Sequence, residues 1–485
     1  MLEGGRVIFI GSVVARHVLG QGRTVAVVVP TVSMDANHWR PPLRLKPSLF
    51  AAFSLAALTT GAFAQHAPDP VTVIHAGQLL AVPGTPPRGR STVIVRGGRI
   101  TEVRDGFIDV PGARVVDLSG QYVLPGLIDC HLHMQSSGDP RAERLEEAHK
   151  GGEDFMVDAV RNARADLMAG FTSARDLGGD AAVLRALKKG IAQGVFQGPT
   201  ITMAAEMVSV TAGHGDGSAT LREDYARLVR GTADNICDGA DSCRRAVRAQ
   251  IRDGAEVIKF AATGGVLDPV ASGLGQHMTF DEMKAVIDTA HQFGRKAAAH
   301  AHGTAGINTA LRAGVDSIEH GTFADAESIR LYKASGAYYV PTLIAPATAV
   351  AAGRRGDLNP ASAAKAEDAA GHAIDSFKLA YRSGVHIAFG TDTGVSKHGE
   401  NAREFGLMVG AGMPASVAIR TATVDAATLI GRAREVGTIE PGKDADIIAV
   451  AADPTADIGQ LNTVRFVMHR GTVIKSNGRA EPSPE

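Results

Sequence analysis

Apolar positions along the chain fall into two textures. Over 71–116, β-branched runs (VTVIHAG, TVIVRGGRI, ARVVDL) alternate with Gly/Pro turns, and the same texture returns near the C-terminus in DADIIAV, TVRFVMHRG and TVIKSNG. These two ends, 65–124 and 430–485, predict one small β-sandwich built from both. Between them, over 125–429, eight strand-like runs occur: GLIDCHLHM, FTSARDL, TITMAAE, EVIKFAA, KAAAHAH, DSIEHG, YYVPTL and HIAFGTDT. Helical-period segments such as DSCRRAVRAQIRDGA and TFDEMKAVIDTAHQFG separate them. The fold class is therefore α/β, with a (β/α)8 TIM barrel carrying the sandwich, and chemistry is expected at the carboxyl ends of the barrel strands.

The first sixty-four residues read differently. Arg40, Arg44 and Lys46 precede a short apolar run over 49–58, and Ala62-Phe63-Ala64 supplies the small residues that a signal peptidase reads. The run is too short to span a bilayer of about 30 Å as a helix. Residues 34–64 thus read as a signal peptide and 1–33 as an over-extended start. The expected mature chain begins at Gln65, is exported to the periplasm or the medium, and meets no membrane once the signal is removed.

Composition narrows the field. A chain of 485 residues is too long for one ordinary domain, and 45% hydrophobic with 21% charged is the balance of a globular protein with a large core. A formal charge of −1, 5% aromatics and a single Trp offer nothing to nucleic acid or an anionic surface. Three cysteines build neither a disulfide scaffold nor a thiolate zinc site. In an oxidising compartment Cys237 and Cys243 either close a small loop or remain free thiols, with Cys130 buried at a strand end.

The polar residues sit where barrel chemistry belongs. His131 and His133 are two apart on the first strand, so both imidazoles share a face. Lys259 lies between apolar residues on the fourth, where an ammonium is costly unless neutralised. Reaction with CO2 turns such a lysine into a carbamate able to bridge two metals. His300 ends the fifth strand, His320 the sixth and Asp392 the eighth. His131, His133, the Lys259 carbamate and Asp392 suit one divalent ion; His300, His320 and the carbamate suit a second. Nitrogen and oxygen donors without thiolate fit Zn2+ best, with Co2+, Ni2+ or Mn2+ as alternatives. Two such ions would hold a bridging hydroxide as nucleophile, with Asp392 as proton shuttle.

This constellation resembles the amidohydrolase superfamily over nearly the whole mature chain. LPGLIDCHLHM (124–134) looks like its entry strand and GTIEPGKDADIIAV (437–450) like its return to the sandwich. The strand-four lysine is that of the binuclear, carbamate-bridged members. The runs GHGD, VIKFAATGGVLDP, AAAHAHG, SIEHG and FGTDTG are similar to the Xaa-Pro dipeptidase and ochratoxinase branch, which implies cleavage of a small amide or dipeptide with release of a free amino acid. The same resemblance implies a homo-oligomer, often an octamer. Around the ligands, His214 is expected to assist catalysis by donating to the substrate. Ser136, Val266, Leu267 and His302 are expected to contact it. Arg175 and Asp176 read as pairing with each other and are left out of the site. Two other readings stay open: a lactone, cyclic-amide or phosphotriester hydrolase using the same centre, and a non-catalytic member of the superfamily.

Overall fold

The computed structural model describes residues 71–139, 146, 149–219, 221–268 and 273–481, all within one compact unit, 68–485. The expected signal peptide and over-extended start, and residues 65–70, lie outside the described residues. In chain order the strands are β1 (Val71–Leu79), β2 (Ser91–Arg96), β3 (Arg99–Asp105), β4 (Arg114–Pro125), β5 (Leu127–Leu132), β6 (Phe171–Asp176), β7 (Thr200–Met203) and β8 (Val257–Ala261). They continue as β9 (Lys296–Ala301), β10 (Ser317–His320), β11 (Tyr338–Val340), β12 (Ile447–Val450), β13 (Phe466–His469), β14 (Thr472–Ser476) and β15 (Arg479–Ala480).

The two ends of the chain meet in one hydrogen-bonded sheet, ordered β15-β14-β13-β12-β4-β1-β2-β3. The joint is β4, twelve residues long, which pairs parallel with β1 along one edge and antiparallel with β12 along the other. Its faces are set by the strand period of two. Ile447, Ala449, Phe466 and Met468 point into a cluster with Ile74, Val93 and Val123, while Ile448, Val450 and Val467 point the other way, into the large core with Leu167 and Phe171.

Seven of the eight middle runs form regular parallel strands, β5-β6-β7 in one sheet and β8-β9-β10-β11 in another. A parallel bridge between Val208 and Phe260 joins the two sets. The eighth run, 386–393, is not a regular strand. It pairs through single bridges, Ile387 with Tyr339 and Thr393 with Leu132, because the backbone turns to φ +57° at Asp392 and both Thr391 N–H and Asp392 N–H reach the His131 carbonyl. The result is an α/β fold of the TIM-barrel type.

Both helical segments singled out in the sequence form as expected. Phe280–Gln292 starts at a capping box in which Thr279 Oγ1 accepts from Glu282 N–H and Glu282 accepts from Thr279 N–H. Ala240–Arg252 buries Cys243, Ala246, Val247 and Gln250, the i, i+3, i+4, i+7 stripe of a half-buried helix. Cys237 and Cys243 are joined as a disulfide and Cys130 is a buried free thiol, which resolves the cysteine alternatives. Among the described residues no helix is long and apolar enough to cross a membrane.

Candidate metal centre and active site

Every polar residue expected at the barrel mouth borders a single cavity of about 980 Å3. His131, His133, Lys259, His300, His302, His320 and Asp392 line it together with Ser136, His214, Val266 and Leu267. Two groups of donor atoms lie close enough to hold an ion each: His131, His320 and Asp392, and His300, His302 and His320, all within 4.8 Å inside a group. His320 is common to both. His133 joins through Asp392, whose Oδ1 stands 3.3 Å from Nε2 of both His131 and His133. Lys259 Nζ is 3.2 Å from His131 Nε2. The tight groups thus differ from the expected division in bringing His302 into contact with His300 and His320.

Each imidazole is aimed by a partner on its far nitrogen. His131 Nδ1 donates to Glu319 Oε2 at 3.0 Å and His133 Nδ1 to the Gly178 carbonyl at 2.9 Å. His320 and His302 are held through Nδ1 by Thr342 Oγ1 (2.8 Å) and Thr322 Oγ1 (2.7 Å). His300 uses Nε2 on the Gly264 carbonyl at 3.3 Å, so its Nδ1 is the donor left for the centre. Such partners fix the tautomer and ring direction of a metal-binding histidine. Backbone strain is stored here too: His320 (φ +71°) and Asp392 (φ +57°) are non-glycine residues in the left-handed region, a conformation costing about 1–3 kcal/mol each.

Burial governs the electrostatics. It pushes the Lys259 ammonium down to about 8 despite Glu319 and Asp392, so a neutral amine is accessible near physiological pH. Burial likewise lowers His302 to about 3 and His300 and His320 far below the usual imidazole value, which keeps the lone pairs that a metal needs. Asp392 is the reverse case. Burial would raise its carboxyl, but His131 and His133 hold it well below the usual carboxylate range.

Several residues that matter were missed in the sequence. Arg175 and Asp176 do not pair with each other, because neighbours in a strand face opposite sides of the sheet. Arg175 points inward, where Nη2 donates to Glu319 Oε1 at 2.8 Å, Nε to the Cys130 carbonyl at 2.5 Å and Nη1 to Ser317 Oγ at 3.1 Å. Asp176 instead accepts from the N–H groups of Met134 and Gly178. Burial would raise Glu319, yet Arg175 and the His131 hydrogen bond hold it at about 2. Asp129 ties the first strand to the eighth run: it accepts from His131 N–H, Thr391 N–H, Thr391 Oγ1 and Asn401 Nδ2. A third missed carboxylate, Asp268, accepts from His214 Nδ1 at 2.8 Å and so turns Nε2 of that ring away from itself. Their one signal was adjacency to the chosen residues, in DCHLH, IEHG and VLDP.

Buried imidazoles, an aspartate and a lysine gathered at the carboxyl ends of parallel strands define a metal-dependent hydrolase on a TIM-barrel-type scaffold. The chain belongs to the amidohydrolase family, whose sequence model matches residues 122–475. Ochratoxinase of Aspergillus niger is 32% identical over 415 residues, 82% of this chain and 85% of that enzyme. The crystal structure of that ochratoxinase superposes with a TM-score of 0.74 at 31% identity, covering 84% of this chain and 96% of the other. A Xaa-Pro dipeptidase crystallised with methionine in its active site is 35% identical, with a TM-score of 0.78 over 84% of this chain and all of that one. This protein is accordingly an amidohydrolase-family hydrolase related to ochratoxinase and prolidase.

Proposed function

We propose that the protein is a binuclear amidohydrolase that cleaves an amide or peptide bond and releases a C-terminal amino acid, in the manner of a carboxypeptidase or dipeptidase, with ochratoxin A and N-acyl amino acids among its substrates. The observation that carries this reading is the paired donor groups sharing His320 and bordering one cavity, with the Lys259 amine 3.2 Å from His131 Nε2. The donor chemistry fits two divalent ions, Zn2+ first: His131, His133 and Asp392 would hold one, His300 and His320 the other, and Lys259, once converted to a carbamate, would supply oxygen donors to both. When bound, such ions supply an ionised water nucleophile near neutral pH and polarise the scissile carbonyl. The scaffold of this reading is a closed (β/α)8 barrel with a β-sandwich, the eighth run completing the ring.

The chain's own residues then do the following. Asp392 takes the proton of the attacking water and delivers it to the leaving nitrogen. His214, set by Asp268, presents Nε2 to the cavity and donates to the substrate carbonyl oxygen when both ring nitrogens carry protons. Val266, Leu267, Phe155, Met207 and Pro346, all bordering the cavity, give the acyl side an apolar surface. Ser136 and His302, both bordering the cavity, are polar contacts for the substrate. The Cys237–Cys243 disulfide fits an oxidising compartment, in keeping with export.

The test uses Zn2+-loaded protein and its Lys259→Ala variant. Both are incubated with N-acyl amino acids, Xaa-Pro and Xaa-Phe dipeptides and ochratoxin A, and freed amino acid is read by mass spectrometry. Release by the wild type alone upholds the proposal. No release from any substrate by protein shown to carry metal would sink it and bring lactones and cyclic amides forward.

A further inference from the structure

The loop over 207–216, which carries His214 above the centre, forms no strand of its own, and Ala212 within it has a left-handed backbone (φ +60°). Its internal bonds, Gly215 N–H to Ser209 Oγ and Ala212 N–H to Asp216, give it shape but do not attach it to the barrel. Attachment on one side comes from Val208, paired with Lys259 and Ala261. On the other it comes from a strip of chain at 235–238. Asn235 Nδ2 donates to two loop carbonyls, Met207 at 2.9 Å and Gly215 at 3.2 Å, and so spans the loop's entry and the residue after His214. Ser209 N–H donates to the Asn235 carbonyl, Cys237 N–H donates to the Ser209 carbonyl, and Thr211 N–H and Oγ1 both donate to the Asp238 carboxylate.

The strip is itself fastened. Cys237 is bonded to Cys243, their Cα atoms 4.8 Å apart, and Cys243 lies on the core-facing stripe of the helix Ala240–Arg252. The same stripe holds the start of the loop directly, since Gln250 Oε1 accepts from Glu206 N–H at 3.0 Å. A continuous path therefore runs from a helix seated in the core, through the disulfide and Asn235, to His214.

We propose that Asn235 and the Cys237–Cys243 disulfide form a clasp that positions His214, whose ring packs 4.1 Å from that of His300, and that the clasp sets turnover through His214 without removing any metal-binding side chain. This rests on reading His214 as the residue that faces the scissile carbonyl. None of the six metal-binding side chains has a hydrogen bond to the strip among the described residues. Asn235 is a positioning residue here, since it acts only through the loop.

The experiment compares Zn2+-loaded Asn235→Ala, Asn235→Asp, the Cys237→Ser/Cys243→Ser pair and His214→Ala, each clasp variant also being made in the His214→Ala background. Bound metal per chain, kcat and KM for an N-acyl-phenylalanine, and hydrogen–deuterium exchange over 207–216 are read for each. Metal content should stay at the wild-type level, kcat should fall about 10- to 100-fold, the range expected when a catalytic group is misplaced by about 1 Å, and exchange over 207–216 should quicken. In the His214→Ala background the clasp changes should cost nothing more. Additive losses in that background, or unchanged exchange, overturn the clasp. Should His214→Ala leave kcat unaltered, the role given to His214 fails, and exchange alone then decides whether the strip anchors the loop. Asn235→Asp keeps the side chain's shape and removes both donors, so the proposal stays testable if the cysteine pair does not fold.

Discussion

Arg175→Met breaks the buried pair beneath His131 at little change in volume. It removes the guanidinium from Glu319, from the Cys130 carbonyl and from Ser317, and leaves a fully buried carboxylate held only by His131 and Ser317 Oγ, the latter at 2.6 Å. Removing one partner of a buried pair costs about 3–5 kcal/mol, because the remaining charge is uncompensated. Urea unfolding of the metal-free protein at pH 7 should show that loss. Replacing both partners, Arg175→Met with Glu319→Met, removes the stranded charge, and the cost should fall to about 1–3 kcal/mol for the carbonyl and hydroxyl left without a partner. Metal binding should behave differently. The double variant takes away the acceptor that orients His131 Nδ1, and loss of such a partner lowers metal affinity about 10- to 100-fold. Zn2+ affinity, measured by competition with a chelating indicator, should therefore stay poor while stability recovers. Two results would refute the reasoning: a loss below about 1 kcal/mol in Arg175→Met, or wild-type Zn2+ affinity in the double variant.

Three further outcomes are expected. A Cβ added at Gly265 would stand 2.4 Å from His214 Cε1 and Nδ1, so Gly265→Ala should displace that ring and lower kcat/KM while bound metal, counted by elemental analysis, is unchanged. Asp268→Asn should lower kcat about 10- to 1,000-fold by losing the carboxylate that holds the His214 Nδ1–H and so aims Nε2 at the substrate. Burial would raise the Asp268 carboxyl, but the His214 hydrogen bond holds it below its ordinary 3.8. Its stabilising contribution is thus present above that value and lost as pH falls beneath it, and a wild-type pH–rate profile from pH 5 to 8 should show no inflection belonging to Asp268.

The candidate ligands were legible as a group because the strand period of two puts His131 and His133 on one face, and because Lys259, His300, His320 and Asp392 fall in or just after strand-like runs that end at one mouth. The β-rich, turn-punctuated texture at both ends likewise announced a sheet drawn from the two, although only β4, with pairing on both edges, made it a single hydrogen-bonded sheet. What local pattern cannot carry is the direction of a buried side chain across the barrel. Arg175 and Asp176 read as partners in sequence and face opposite ways in space, and the true partner of Arg175 lies four strands on. The same holds for Asp129 with Asn401, His214 with Asp268 and Asn235 with Gly215. Each is a buried or half-buried polar group whose desolvation is offset by a hydrogen bond, and which atom is near enough to make it is decided by how the strands close, not by neighbours along the chain. Local spacing was enough to name the fold class and the candidate donor set; the groups that aim and charge those donors came from closure of the strands, because their partners are distant along the chain.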